Sequence, residues 1–150
     1  MTEKKPNILL IMADQMTPFM LEACSGIGAK TENITRLAAR SANFTTAYTP
    51  SPICVPARSC VMTGLYTSTT GCYDNGDPYN SFIPTFAHYL TNAGYETVLS
   101  GKMHFVGADQ LHGFERRLNT DVNPSGFIWS YPLPPKNDPT FKAFDFAPQY

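Results

Sequence analysis

At 150 residues, with 43% apolar and 15% charged side chains, the chain is long enough to bury a core and too apolar to stay disordered. A net charge of -1 gives no electrostatic footprint for nucleic acid. The first apolar run stops at Asp14, too early for a membrane span or a secretory leader, so a soluble cytoplasmic protein with no membrane partner is expected.

Asn7 to Ala13 reads NILLIMA, a continuous apolar run that predicts a strand buried on both faces. Thr31 to Arg40 places Ile34, Leu37, Ala38 and the adjoining Ser41 at helical spacing, predicting an amphipathic helix. Asn43 to Tyr48 resembles a short strand. After Pro50-Ser51-Pro52 comes Cys54, then a predicted helix running through Val61 and Met62. A further helix is predicted over Ile83 to Asn92, with Pro84 in its first turn and Gly94 as its stop. Tyr95 to Ser100 then reads as a second buried strand.

This alternation predicts an α/β fold, a mainly parallel sheet flanked by helices. In such sheets ligands gather at the carboxyl ends of strands, just where Asp14 and Lys102 are expected. From Asn123 onward six prolines and seven aromatic residues share a loop-like segment. Loops of that length and apolar content are uncommon unless they cover something. The expected organisation is therefore one domain over 1–122, with 123–150 as its proline- and aromatic-rich loop segment.

Four cysteines, Cys24, Cys54, Cys60 and Cys72, match no zinc spacing. Cys24, Cys60 and Cys72 read as small, mostly buried thiols. Cys54 stands apart because of its surroundings. Ser51-Pro52-Ile53-Cys54-Val55-Pro56-Ala57-Arg58 contains Cys-x-Pro-x-Arg, followed by Met62-Thr63-Gly64 and, further on, Gly101-Lys102-Met103-His104. These blocks, with the opening run to Asp14, resemble in order the signature of the sulfatases, in which the cysteine is oxidised to formylglycine. The resemblance implies an alkaline phosphatase/sulfatase-like fold, incomplete in 150 residues, and hydrolysis of a small-molecule sulfate ester. It also implies a formylglycine-generating maturase as a partner, and association between copies in the whole enzyme. Met103 stands where the family usually has Trp, and Glu32 where it often has Pro.

The chemistry suits the residue types. An aldehyde hydrate offers one hydroxyl for attack on sulfur and a second to expel sulfate as the aldehyde reforms, a release step that a thiol lacks. Pro56 fits the first turn of a helix, whose N–H groups favour an anion near position 54. Arg58 is a permanent fork of donors for the hydrate or the sulfate oxygens. Lys102 is a point cation for the sulfuryl and leaving oxygens, and His104 holds the nucleophile or moves a proton. The resemblance implies a hard divalent cation, Ca²⁺ before Mg²⁺, with Asp14, Gln15 and position 54 as its ligands in this chain. Gln15 replaces a second acid of the family pattern, so the site carries one negative charge fewer.

Further stretches, among them Gly71-Cys72-Tyr73-Asp74-Asn75 and Asp109-Gln110-Leu111-His112-Gly113-Phe114-Glu115, are similar to the choline sulfatase branch. That likeness implies choline-O-sulfate as substrate, with Asn75 and Trp129 at the choline end of the pocket. Aromatic faces are the usual partners of a quaternary ammonium. Two alternatives stand beside this reading: a phosphonate or phosphate ester hydrolase of the same superfamily, and an inactive truncated fragment. Sulfatases are several times longer, and the resemblance places the second half of the active site beyond these residues. The 150-residue chain alone is expected to bind metal poorly and to turn over little substrate.

Overall fold

The computed structural model describes residues 5–26, 28–119 and 121. The chain divides into two compact units, one ending at Tyr48 and one beginning at Thr49.

The first unit carries a short 3-10 turn over Pro18–Met20, helix α1 (Glu22–Ser25) and helix α2 (Glu32–Ala38). Gly26, at φ 70, ends α1 in the left-handed conformation that costs glycine least. The expected helix over Thr31 to Arg40 is present and a little shorter. The two strands expected in this unit are absent: residues 7–13 and 43–48 carry no strand pairing among the described residues. Ile8, Leu9, Leu10 and Ile11 are 61%, 83%, 60% and 81% exposed, not buried on both faces. The physical reason is that an apolar run becomes a buried strand only where a ladder partner and covering layers exist. None pairs with it among the described residues. Cys24 is likewise exposed, because the four-residue α1 has no core to cover it. No described residue of this unit is buried.

The second unit holds the core. Helix α3 (Cys54–Thr63) starts after Ile53, whose extended backbone follows Pro52, and stops at Gly64, φ 71. Pro56 costs α3 no hydrogen bond, because the helix's first internal bond is Ala57 N–H to the Ile53 carbonyl, 2.9 Å. Val55, Ser59 and Met62, spaced three and four apart, are buried together on one face. Helix α4 (Thr67–Thr70) follows, then helix α5 (Phe86–Asn92). Thr85 caps α5 in a reciprocal box with His88, the Thr85 N–H donating to His88 Nδ1 at 3.1 Å. Pro84 therefore precedes the cap, one step outside the first turn expected for it. Thr85 also donates to the His112 carbonyl, 2.6 Å, tying α5 to the later chain.

Strands β1 (Val98–Leu99) and β2 (Arg116–Arg117) pair in parallel, Val98 with Arg116 and Leu99 with Arg117. The parallel pairing agrees with the expected sheet type, although only the centre of the Tyr95 to Ser100 run is a strand. The core gathers Val55, Met62, Cys72, Tyr79, Ala87, Leu99, Met103 and Phe105. Inside it the rings of Tyr79, Phe105 and His112 pack on one another edge-on or tilted, with centroids 4.5–5.0 Å apart. Trp129 and the 123–150 segment lie outside the described residues. No helix among the described residues is long and apolar enough to cross a membrane.

Candidate active site

Cys54 is the first residue of α3 and is partly buried. Its turn is anchored by Asn75, whose Oδ1 accepts the Val55 N–H at 3.0 Å. Val55 is fully buried, so this N–H has little access to water. Asn75, expected at the choline end of a pocket, thus has its amide oxygen engaged by the helix that Cys54 opens.

One turn further along α3, Arg58 is 5% exposed. Its Nη1 donates to the Lys102 carbonyl at 2.9 Å, with the Met103 sulfur at 3.9 Å. The loop after β1 thereby lies against α3, and the Lys102 ammonium reaches to 4.0 Å from Cys54 Sγ. Cys54, Arg58 and Lys102, separated by up to 48 positions, form one cluster. His104 follows in the same loop, buried at 6% exposure. Its φ of 55 is uncommon for a residue with a Cβ.

Two residues that the sequence did not single out hold this loop. Asp121 Oδ2 accepts N–H bonds from Met103 at 3.0 Å and His104 at 2.5 Å. Arg117 Nη2 donates to the same oxygen at 3.1 Å. Burial pushes the Asp121 carboxyl up, but the His104 and Met103 N–H bonds and then Arg117 bring it net below the ordinary carboxylate value. Only the Arg117 pairing of Asp121 is local; its two main-chain partners lie 17 and 18 positions away, beyond the reach of a local sequence pattern.

The other cysteines of this unit differ chemically from Cys54. Burial raises the Cys60 thiol. Burial first, then the charges of Asp77, Cys60 and Asp74, push Cys72 up to about 11. Both stay protonated near neutral pH and are inert core groups.

Asp14 and Gln15 lie in the first unit, Gln15 with a φ of 53. Their carboxylate and amide oxygens are of the type a hard cation prefers. Among the described residues, however, no three His, Cys, Asp or Glu side chains gather into a metal-holding group. The described chain therefore fits a divalent cation only as part of a donor set.

The family model described as Sulfatase matches residues 6–144. The chain belongs to the sulfatase family. It is 52% identical over 130 residues to the choline-sulfatase of Rhizobium meliloti (strain 1021), a match covering 87% of this chain and 25% of that protein. Among solved structures, it is similar to one in complex with its substrate D-glucosamine-2-N,6-O-disulfate, at a TM-score of 0.69 and 33% identity. That match covers 76% of this chain and 23% of the other. It is also similar to the phosphonate monoester hydrolase of Agrobacterium radiobacter, with a TM-score of 0.66 and 28% identity over 75% of this chain and 25% of that one. The fold is thus the α/β fold of the alkaline phosphatase and sulfatase proteins. The chain spans about a quarter of the length of each of these relatives.

Proposed function

We propose that this chain supplies the nucleophile side of a sulfate-ester hydrolase whose substrate is choline-O-sulfate. The observation that carries the reading is the cluster at the start of α3. Cys54 opens the helix, Arg58 lies one turn on, and the Lys102 ammonium is 4.0 Å from the cysteine sulfur. The choline assignment rests on the 52% identity to a choline-sulfatase.

Members of this family generally work with a formylglycine and a divalent metal. A formylglycine at position 54 supplies an aldehyde hydrate, one hydroxyl for attack on sulfur and one for release. Around it the chain's own groups have distinct tasks. The Lys102 ammonium stabilises negative charge on the sulfuryl and leaving oxygens. Arg58, buried and bonded to the Lys102 carbonyl, fixes α3 and the loop as one body and adds a permanent positive charge beside the sulfate. His104 moves a proton at neutral pH. Asp14 and Gln15 carry hard oxygens that would suit Ca²⁺ or Mg²⁺. A formylglycine-generating maturase is the implied partner, and a cytoplasmic setting the implied compartment.

Likeness to a phosphonate monoester hydrolase gives a second reading, hydrolysis of phosphonate or phosphate esters by the same cluster. Mass spectrometry of the tryptic peptide from Ser41 to Arg58 tests the class: an aldehyde at position 54 is expected in protein made with the maturase. An unmodified thiol there would overturn the proposed chemistry. A panel of choline sulfate, aryl sulfates, phosphate diesters and phosphonate monoesters then separates the two readings. Choline sulfate is expected to be turned over fastest.

A further inference from the structure

The segment after β2 reaches back to the loop that carries Lys102 and His104. Asn119 Oδ1 accepts the Gly101 N–H at 2.8 Å, and Asp121 accepts those of Met103 and His104. Consecutive N–H groups converging on one oxygen form a backbone nest, a concavity that binds an anion. Here the anion is a side chain of the same protein, itself only 8% exposed.

The left-handed backbone at His104 makes this contact consequential. A residue with a Cβ held at φ 55 persists only where its surroundings over-determine it. The two N–H bonds to Asp121 supply that constraint from one side. From the other, Arg58 holds the Lys102 carbonyl at 2.9 Å. Residues 102–104 are therefore clamped between α3 and the chain after β2, and the clamp closes on main-chain atoms of both expected catalytic residues.

Arg117 completes the arrangement. Its side chain is 11% exposed and its donors are all directed: Nη2 to Asp121, Nε to the Asn119 carbonyl at 3.1 Å, and Nη1 to the Gln110 carbonyl at 3.1 Å. The guanidinium carbon also lies 5.8 Å from the centre of the Phe105 ring. A charge pair this buried is costly to break from one side, because the partner is left uncompensated.

We infer that Asp121, held in place by Arg117, is a positioning residue that sets the Lys102–His104 loop against the nucleophile. The inference deepens the proposed function and rests on it for its catalytic consequence. Asp121 touches no reacting atom; it acts through the backbone of the residues that do.

The test uses Asp121→Asn and Arg117→Lys in the full-length, maturase-treated enzyme, with rates expressed per formylglycine found at position 54. Asp121→Asn is expected to lower kcat for choline sulfate by about 10–100-fold with little change in KM, the signature of misplaced catalytic groups. Arg117→Lys, which keeps the charge but loses the fork, is expected to move kcat in the same direction and less far. Hydrogen exchange at the Met103 and His104 amides should quicken about tenfold or more in Asp121→Asn, while core amides of α3 keep their protection. Unchanged exchange at those two amides would overturn the inference, as would a kcat unaltered per modified site. Exchange needs no substrate, so an enzyme inactive on every sulfate ester would sink the proposed function and still leave the Asp121 clamp decided.

Discussion

Replacing Asn75 with alanine separates two roles for that residue, the proposed one of holding choline and that of holding the start of α3. The structure gives its Oδ1 to the Val55 N–H at 3.0 Å, a side-chain cap on the first turn of α3. Losing a cap of this kind costs about 1 kcal/mol, and leaving a buried N–H without a partner adds to that, so about 1.5 kcal/mol is a fair expectation. For a unit of roughly a hundred residues this lowers the melting temperature by about 7 °C. The assay is thermal unfolding followed by circular dichroism, with hydrogen exchange at the Val55 amide as the local readout. Asn75→Asp keeps the acceptor and adds a negative charge near the helix start, so it should hold the melting temperature. The same charge should depress turnover by repelling the sulfate ester. An Asn75→Ala protein that melts like the parent and protects Val55 equally well would refute the cap. A raised KM for choline sulfate with that unchanged melting would return Asn75 to the pocket.

His112 offers a second test. It is 1% exposed, packed at a tilt against Tyr79 and Phe105, and neither ring nitrogen makes a hydrogen bond among the described residues. Burial, with His88 adding to it, outweighs Asp109, 3.5 Å from Nδ1, and pushes the His112 imidazole below its ordinary value. The unfolded chain then takes up the proton first, and stability is lost as pH falls below about 6.5. His112→Phe should keep or raise the melting temperature at pH 7.5 and flatten its decline as the pH falls below about 6.5. An unaltered pH slope would remove His112 from the account. Gly113→Ala is expected to be the most damaging change to the fold. Gly113 has φ 95, and an added Cβ would lie 2.7 Å from the His88 backbone nitrogen in α5. A loss above about 3 kcal/mol follows from strain and clash together, read as a lowered melting temperature or insoluble expression. Parent-like melting would refute it.

Much of the chemistry was readable along the chain because it is local. Cys54 and Arg58 are four apart, so a helix that begins at the cysteine places both on neighbouring turns of one face. Helix α2 follows from apolar spacing, and α5 from Pro84 near its start and the stop signal Gly94, which has positive φ. The block Gly101-Lys102-Met103-His104 stands out along the chain by its resemblance to the family pattern.

Tertiary structure decided what those residue types touch. A cap formed across 20 positions, like that of Asn75 on Val55, leaves no trace in periodicity. Asp121, paired with Arg117, gains its role only because the fold brings its carboxylate to the backbone of Met103 and His104. The apolar run at 7–13 marks the opposite limit. Its composition suits a strand, but a strand is made by its neighbours' hydrogen bonds. Composition fixed which groups could do the chemistry, and long-range pairing fixed where they stand, because the energies that choose between partners arise only after the chain has closed on itself.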